Sequence, residues 1–331
     1  TGIWPLQTPH LDQLAHRGAR LTTVSACPAD PGGMVSLLTG LHARQHGVLT
    51  PTHAATRCDG WPMLLAQAGV HVAGVGCVES ILPHLAEEVT VCSPDEMDVD
   101  RCAYLRQMSD HDQLPALLQQ RRQRKRSGLM DPMPVACEPS DDIDGFIAMR
   151  AMDKLHEMPG DRPWALVVIF SGPGNDLPPP AMYDQIVEPQ LLESSFMLAD
   201  LKQVDAMAEL DYPRVMLQRL TPRKIGRIRA DYLGRVSMID YAVGQLRKRV
   251  ADRNDSDRTW MVMGSDRGQL LGEHGLVGHR SFLSGAIEVP AIIAPPTPAQ
   301  AVRVEDPVSN VDLATTIALL GGCDLSPAMT G

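Results

Sequence analysis

"ADPGGMVSLLTGLHARQHGV", residues 29–48, decides the fold. In its middle Leu37, Leu38 and Leu41 stand at helical spacing, so one apolar face can meet a core, and Thr39-Gly40 close the last turn. Asp30-Pro31-Gly32-Gly33 form a plausible helix start, where a carboxylate favours the helix dipole and can cap free N–H groups. Upstream, "ARLTTVSA" (19–26) is a strand candidate. Downstream, "WPMLLAQAG" (61–69) is a helix ending at a glycine cap, and "VHVAGVG" (70–76) is the next strand.

The same alternation continues outward. "DDIDGFIAMRAMDKLHEM" (141–158) has amphipathic helical periodicity and precedes the apolar strand "WALVVIF" (164–170). "IRADYLGRVSMIDYAVGQLRKRVADR" (228–253) is a long helix, "TWMVMGSD" (259–266) a strand, "VPAIIAPP" (289–296) another, and "VSNVDLATTIALLGG" (308–322) a closing helix. Strands with apolar residues on both faces, alternating with helices, predict an α/β fold: a mostly parallel central sheet with helices on both faces and a smaller C-terminal portion over 270–331. The proline-rich "SGPGNDLPPPAMYDQIVEP" (171–189) follows a strand, the place where α/β proteins put their sites.

Composition bounds the function. A chain of 331 residues, 44% hydrophobic, can fill a large core, and its formal charge of −10 argues against nucleic acid or an anionic membrane as the main partner. "RRQRKR" (121–126) is a local exception that reads first as a solvated charged segment and second as an anion-binding patch. The seven cysteines lie at irregular spacing without a CxxC pair, which fits neither a zinc knuckle nor a dense disulfide framework. No apolar run reaches the about 18 residues of a membrane-spanning helix. The chain opens on a loop leading into a helix, so a preceding strand and any targeting segment are expected to be missing from its start.

Five ordered segments carry a resemblance: "TPHLDQLAHRGARLTTVSA" (8–26), "SLLTGLHARQHGV" (36–48), "LLAQAGVHVAGVGCVES" (64–80), "SDRGQLLGEHGLVGHRSFLSGAIEVPAIIAPP" (265–296) and the closing helix. Together they resemble the sulfatase family of the alkaline phosphatase superfamily, over one domain spanning 1–331. The resemblance implies sulfuric ester hydrolysis of a small-molecule or glycan sulfate ester, with calcium as the usual cation and export as the usual fate. It leaves the compartment and oligomeric state open.

Carried over residue by residue, the family's C/S-x-P-S-R nucleophile motif falls on Asp30, Gly32, Gly33 and Met34, with Asp30 at the nucleophile and Met34 at the arginine. Cys27 stands three residues too early to substitute. The lysine and histidine of GKWH fall on Cys77 and Glu79, and the strand-end PH motif on Pro173-Gly174. In SDHG the metal-binding aspartate persists as Asp266, while Arg267 takes the second ligand position. The lysine after GLWG becomes His279, and the paired metal-binding aspartates belong to the missing first strand.

These changes remove positive charge where a sulfate needs it, and Arg267 would repel a cation while neutralising Asp266. The expectation is a degenerate homologue with a binding or regulatory role, no bound cofactor, and an Asp266–Arg267 ion pair in the metal position. The alternatives are an active sulfuric or phosphoric ester hydrolase with Asp30 or another residue as nucleophile and metal ligands from the missing N-terminus, or an unrelated activity on the same scaffold. His46 and His274 are further pocket candidates, for which structural hydrogen bonding is the ordinary role.

Overall fold

The structure is a computed structural model that describes residues 4–25, 27, 31–49, 60–76, 89–91, 99–100, 102–127, 137–174, 178–193, 220–279, 281–329 and 331. The chain runs α1 (Pro9–Ala15), β1 (Ala19–Val24), α2 (Gly32–Thr39), α3 (Ala43–His46), α4 (Trp61–Gln67), β2 (His71–Gly76), β3 (Val89–Val91), α5 (Ala103–Asp110) and α6 (Leu114–Ser127). It continues with α7 (Ile143–Glu157), β4 (Trp164–Ile169), α8 (Pro222–Asp252), β5 (Met261–Met263), β6 (Leu270–Leu271), β7 (Val277–Gly278), α9 (Ser284–Ile287), β8 (Glu288–Ala294), β9 (Val302–Ser309) and α10 (Asn310–Leu320). The "RRQRKR" segment forms the end of α6.

The fold is α/β as expected, but the sheet is mixed rather than purely parallel. β3, β2 and β4 form a fully parallel three-stranded sheet, with His71 to Gly76 in register with Trp164 to Ile169. A four-stranded sheet has the order β5-β8-β1-β9. There β1 is parallel to β9, while β8 lies antiparallel between β1 and β5. Thus β1, β5 and β9 point the same way and β8 alone opposes them. A local run such as "VPAIIAPP" specifies a strand but not its direction. Residues 288–309, within the expected C-terminal portion, supply β8 and β9 and so complete the sheet begun by β1.

Alternation along the parallel strands explains the layers. Val72, Val167 and Ile169 face Leu38 of α2, Trp61 and Leu65 of α4, and Ala314 and Ala318 of α10. On the opposite face Val75, Leu166 and Val168 meet Tyr104, Leu105, Phe146 and Ile147 from α5 and α7. Side chains alternate across a strand, so apolar residues at successive positions require cover on both sides. In the other sheet, Leu14 of α1 packs on Ile292 and Ala294 of β8.

Two helix starts are secured by side chains, one distant and one local. Asp240 of α8 accepts the Leu11 N–H at 2.8 Å and the His10 N–H at 3.3 Å, capping α1 across 229 and 230 residues of sequence. Ser309 and Asp312 form a reciprocal capping box at α10.

Candidate functional site

Three strand ends meet in one place. β1 delivers Ser25, whose Oγ lies 2.5 Å from the Asp266 carbonyl oxygen and 3.0 Å from that of Cys27. β5 delivers Asp266 itself, and Asn310 at the start of α10 donates from Nδ2 to the same Asp266 carbonyl at 3.3 Å. The start of α2 rests directly on this turn. A Cβ at Gly33 would lie 2.6 Å from the carbonyl oxygens of both Asp266 and Cys27, so only glycine permits the approach. Gly32 is seated as tightly, 2.5 Å from the Val48 carbonyl oxygen and 2.7 Å from Cys27 Sγ by the same measure. The N-cap of α2 is Pro31, with no side-chain cap bond.

β4 delivers the third element. Its continuation, Ser171-Gly172-Pro173-Gly174, carries a cis Gly172-Pro173 bond and is held from below by a buried ionic network. Asp144 accepts the Ser171 N–H at 2.7 Å and the Gly172 N–H at 3.1 Å. Arg235 of α8, 1% exposed, binds both oxygens of Asp142 at 2.7 Å, Asp144 Oδ2 at 2.8 Å and the Pro178 carbonyl at 2.9 Å. Burial alone would lower the Arg235 pKa, but the two carboxylates outweigh it and hold the guanidinium above its ordinary value. The same Asp142 caps α7 through the Asp144 N–H. One arginine therefore fixes a helix start and the strand-end loop together.

Onto that loop comes Arg267. Its Nη1 would lie 3.0 Å from a Cβ at Gly174, so the guanidinium occupies the space a side chain at that position would use. Its Nε lies 3.7 Å from Asp266 Oδ2, the expected ion pair, with the two side chains 15% and 19% exposed. Gln269 adjoins the same point: its Oε1 is buried without a hydrogen bond and would lie 3.4 Å from a Gly174 Cβ. Tyr232 of α8 borders the group. Burial pushes its hydroxyl up to about 12, opposed by Arg267 and reinforced by Glu273, so the phenol is neutral at physiological pH and can donate. Arg229 ties β6 to α8 through the Leu271 carbonyl at 2.8 Å and stacks 5.0 Å above the Trp4 ring.

The structure places the other sequence-predicted residues individually. Met34 packs against the core beneath α2 instead of facing the site as a polar group. His46 is fully buried: its Nδ1 accepts the Val48 N–H at 3.0 Å, which leaves the proton on Nε2, 2.9 Å from Ser36 Oγ. Burial, aided by His42, lowers its pKa and keeps it neutral. It braces the loop whose Val48 carbonyl abuts Gly32. His274 is exposed in the left-handed region (φ 54°), and His279 is half-buried one residue after β7. Asp30, Cys77 and Glu79 lie outside the described residues; Cys77 directly follows the last residue of β2.

Sequence reading missed Arg235, Asp142, Asp144, Tyr232 and Gln269. Their one available signal was the acidic "DDID" at the start of α7, an excess of carboxylates for a single cap.

Comparison with known proteins agrees with this architecture. The chain is 28% identical over 197 residues to a choline-sulfatase of Rhizobium meliloti (strain 1021), covering 56% of this chain and 38% of that one. It is 23% identical to the uncharacterized sulfatase YidJ of Escherichia coli (strain K12), over 99% of this chain and 65% of that one. The chain thus spans 38% and 65% of the length of these two relatives. Among solved structures it resembles the phosphonate monoester hydrolase SpPMH from Silicibacter pomeroyi, with TM-score 0.76 and 18% identity over 98% of this chain and 70% of that one. It also resembles BT4656 in complex with its substrate D-glucosamine-2-N,6-O-disulfate, with TM-score 0.61 and 18% identity over 98% and 74%. The sulfatase family model matches residues 3–323, nearly the whole sequence, and the chain belongs to the sulfatase family.

Proposed function

We propose that this chain has lost metal-dependent ester hydrolysis and works as a binding protein of the sulfatase scaffold, with a small-molecule or glycan sulfate ester as its ligand class. The carrying observation is the placement of Arg267, paired with Asp266 and filling the space left by Gly174. A calcium site takes about six to eight oxygen ligands. Here the carboxylate that the family gives to the cation is matched with a guanidinium, which repels a dication and competes for the same oxygens. Among the described residues, the donor set does not fit calcium. What the arrangement does fit is an anion, since a guanidinium fork beside the neutral Tyr232 hydroxyl and a helix start offers donors without a metal. The ligand class follows from the relatives, one named a choline-sulfatase and another solved with a disulfated glucosamine.

Calorimetric titration with calcium tests the reading. The expected result is no saturable binding in the micromolar range. Micromolar affinity that disappears in Asp266→Ala would overturn it.

A further inference from the structure

At the other end of the four-stranded sheet lies a cavity of about 290 Å³ between α1, α8 and the ends of β5 and β8. β1 and β5 both run from this cavity toward Asp266. Arg17 precedes β1 and Thr259 precedes β5, whereas Ser25 and Asp266 follow those strands. The six residues of β1 separate the two ends by about 20 Å, at roughly 3.3 Å per residue. The cavity is therefore a separate place and not an extension of the candidate site.

Its lining is cationic in a chain of net charge −10. Arg17, Arg247, Lys248 and His10 line it, and no carboxylate does so among the described residues. The guanidiniums are only partly used. Arg17 donates from Nη2 to the Pro296 carbonyl at 3.1 Å, while its Nε is buried without a hydrogen bond. Arg247 donates from Nη1 to Gln13 Oε1 at 3.1 Å and more weakly to the His10 carbonyl at 3.4 Å. Burial, and then repulsion from Arg17, lower the Arg247 pKa. The acid that opposes this is Asp240, whose oxygens already cap α1. Two guanidiniums lining one cavity that no carboxylate lines among the described residues leave an excess of positive charge that a bound anion would relieve.

We infer that this cavity is a binding site for a small phosphate monoester, its phosphate dianion seated between Arg17 and Arg247 with Lys248 at the rim. The charge argument selects the class: a phosphomonoester carries about −1.5 to −2 at neutral pH, against a single charge on a sulfate ester, and two facing cations are best matched by a dianion. Ser256 in the lining adds a hydroxyl donor for the phosphate or for an organic hydroxyl group, while the Thr259 hydroxyl, which donates to the Asp255 carbonyl at 2.7 Å, can only accept. The volume lies at the small end of ligand pockets, about 300 Å³, which fits a short organic body.

The test is calorimetric titration of the whole chain with glycerol phosphate and, separately, with inorganic phosphate and methyl sulfate. The expected result is saturable binding of both phosphates that depends on Arg17 and Arg247, whereas any heat from methyl sulfate is the same in the parent chain and in the Arg17 and Arg247 variants. Tighter binding of glycerol phosphate marks a monoester site; equal affinity for inorganic phosphate would overturn the assignment to an ester. Arg17→Gln and Arg247→Gln should each weaken binding at least about tenfold, the size of one charge-assisted hydrogen bond. Lys248 is exposed and makes no bond in the fold that its loss would break among the described residues, so Lys248→Gln tests the site with the fold intact and should weaken binding about threefold. Arg20→Gln, on an exposed arginine outside the cavity, should leave it unchanged. Absent binding, or an equal loss in Arg20→Gln, would refute the inference.

Discussion

The Arg267 guanidinium lies where a side chain at residue 174 would lie, 3.0 Å from the Cβ position that Gly174 lacks. The two positions share one space: Gly174 has no side chain, and Arg267 is a long cation that reaches into the gap. Gly174→Ala should force the flexible end of Arg267 to shift and cost about 1 kcal/mol. In an Arg267→Ala background the same change should cost less, with a coupling of about 0.5–1 kcal/mol in the double-mutant cycle. Urea denaturation of the four proteins measures it, and strict additivity would mean that the two residues do not share the space.

Arg235 should be the costliest single position in the network under the site. Removing it leaves Asp142 and Asp144 buried without their counter-charge, a situation that typically costs about 3–5 kcal/mol. Arg235→Leu, measured by chemical denaturation, should lose that much, and Arg235→Lys should recover only part because an ammonium cannot bind both Asp142 oxygens in a fork. A loss below about 1 kcal/mol would mean that the strand-end loop is held by other means.

Ser36 and His46 give a prediction in pH. In the unfolded chain His46 takes up a proton near its ordinary 6.5, whereas the folded chain holds the buried ring neutral to lower pH. Its contribution to stability is whole above that value and is lost as pH falls below it. Denaturation midpoints at about pH 7.5 and pH 5.5 should show a drop that is smaller in His46→Gln. Ser36→Ala removes the buried Ser36 Oγ–His46 Nε2 hydrogen bond and should cost about 1 kcal/mol at neutral pH. An unchanged pH slope in His46→Gln would contradict the assigned protonation.

Much of this was legible in the sequence. The apolar runs of β2 and β4 have no alternative to burial on both faces, and the helices of α7, α8 and α10 follow from their spacing. β9 was not legible: "VRVEDPVS" is charged and mostly exposed, and it becomes a strand only by pairing with β1 across a register shift. The reversed direction of β8 was hidden for the same reason, since pairing partners are not encoded locally. At the site, the ordered motifs put Asp266 beside Arg267 directly after the apolar strand β5, and the structure pairs their side chains. Arg235 escaped notice because a charged residue inside an amphipathic helix reads as solvent-facing, and only the tertiary arrangement brings two carboxylates to it.

The most direct measurement of the central claim is turnover of aryl sulfate and aryl phosphate esters by the purified chain, with and without calcium or magnesium, beside Asp30→Ala and Asp266→Asn. The account predicts hydrolysis at the buffer background in every combination, with the variants indistinguishable from the parent chain. Metal-dependent turnover above background that is lost in either variant would contradict it.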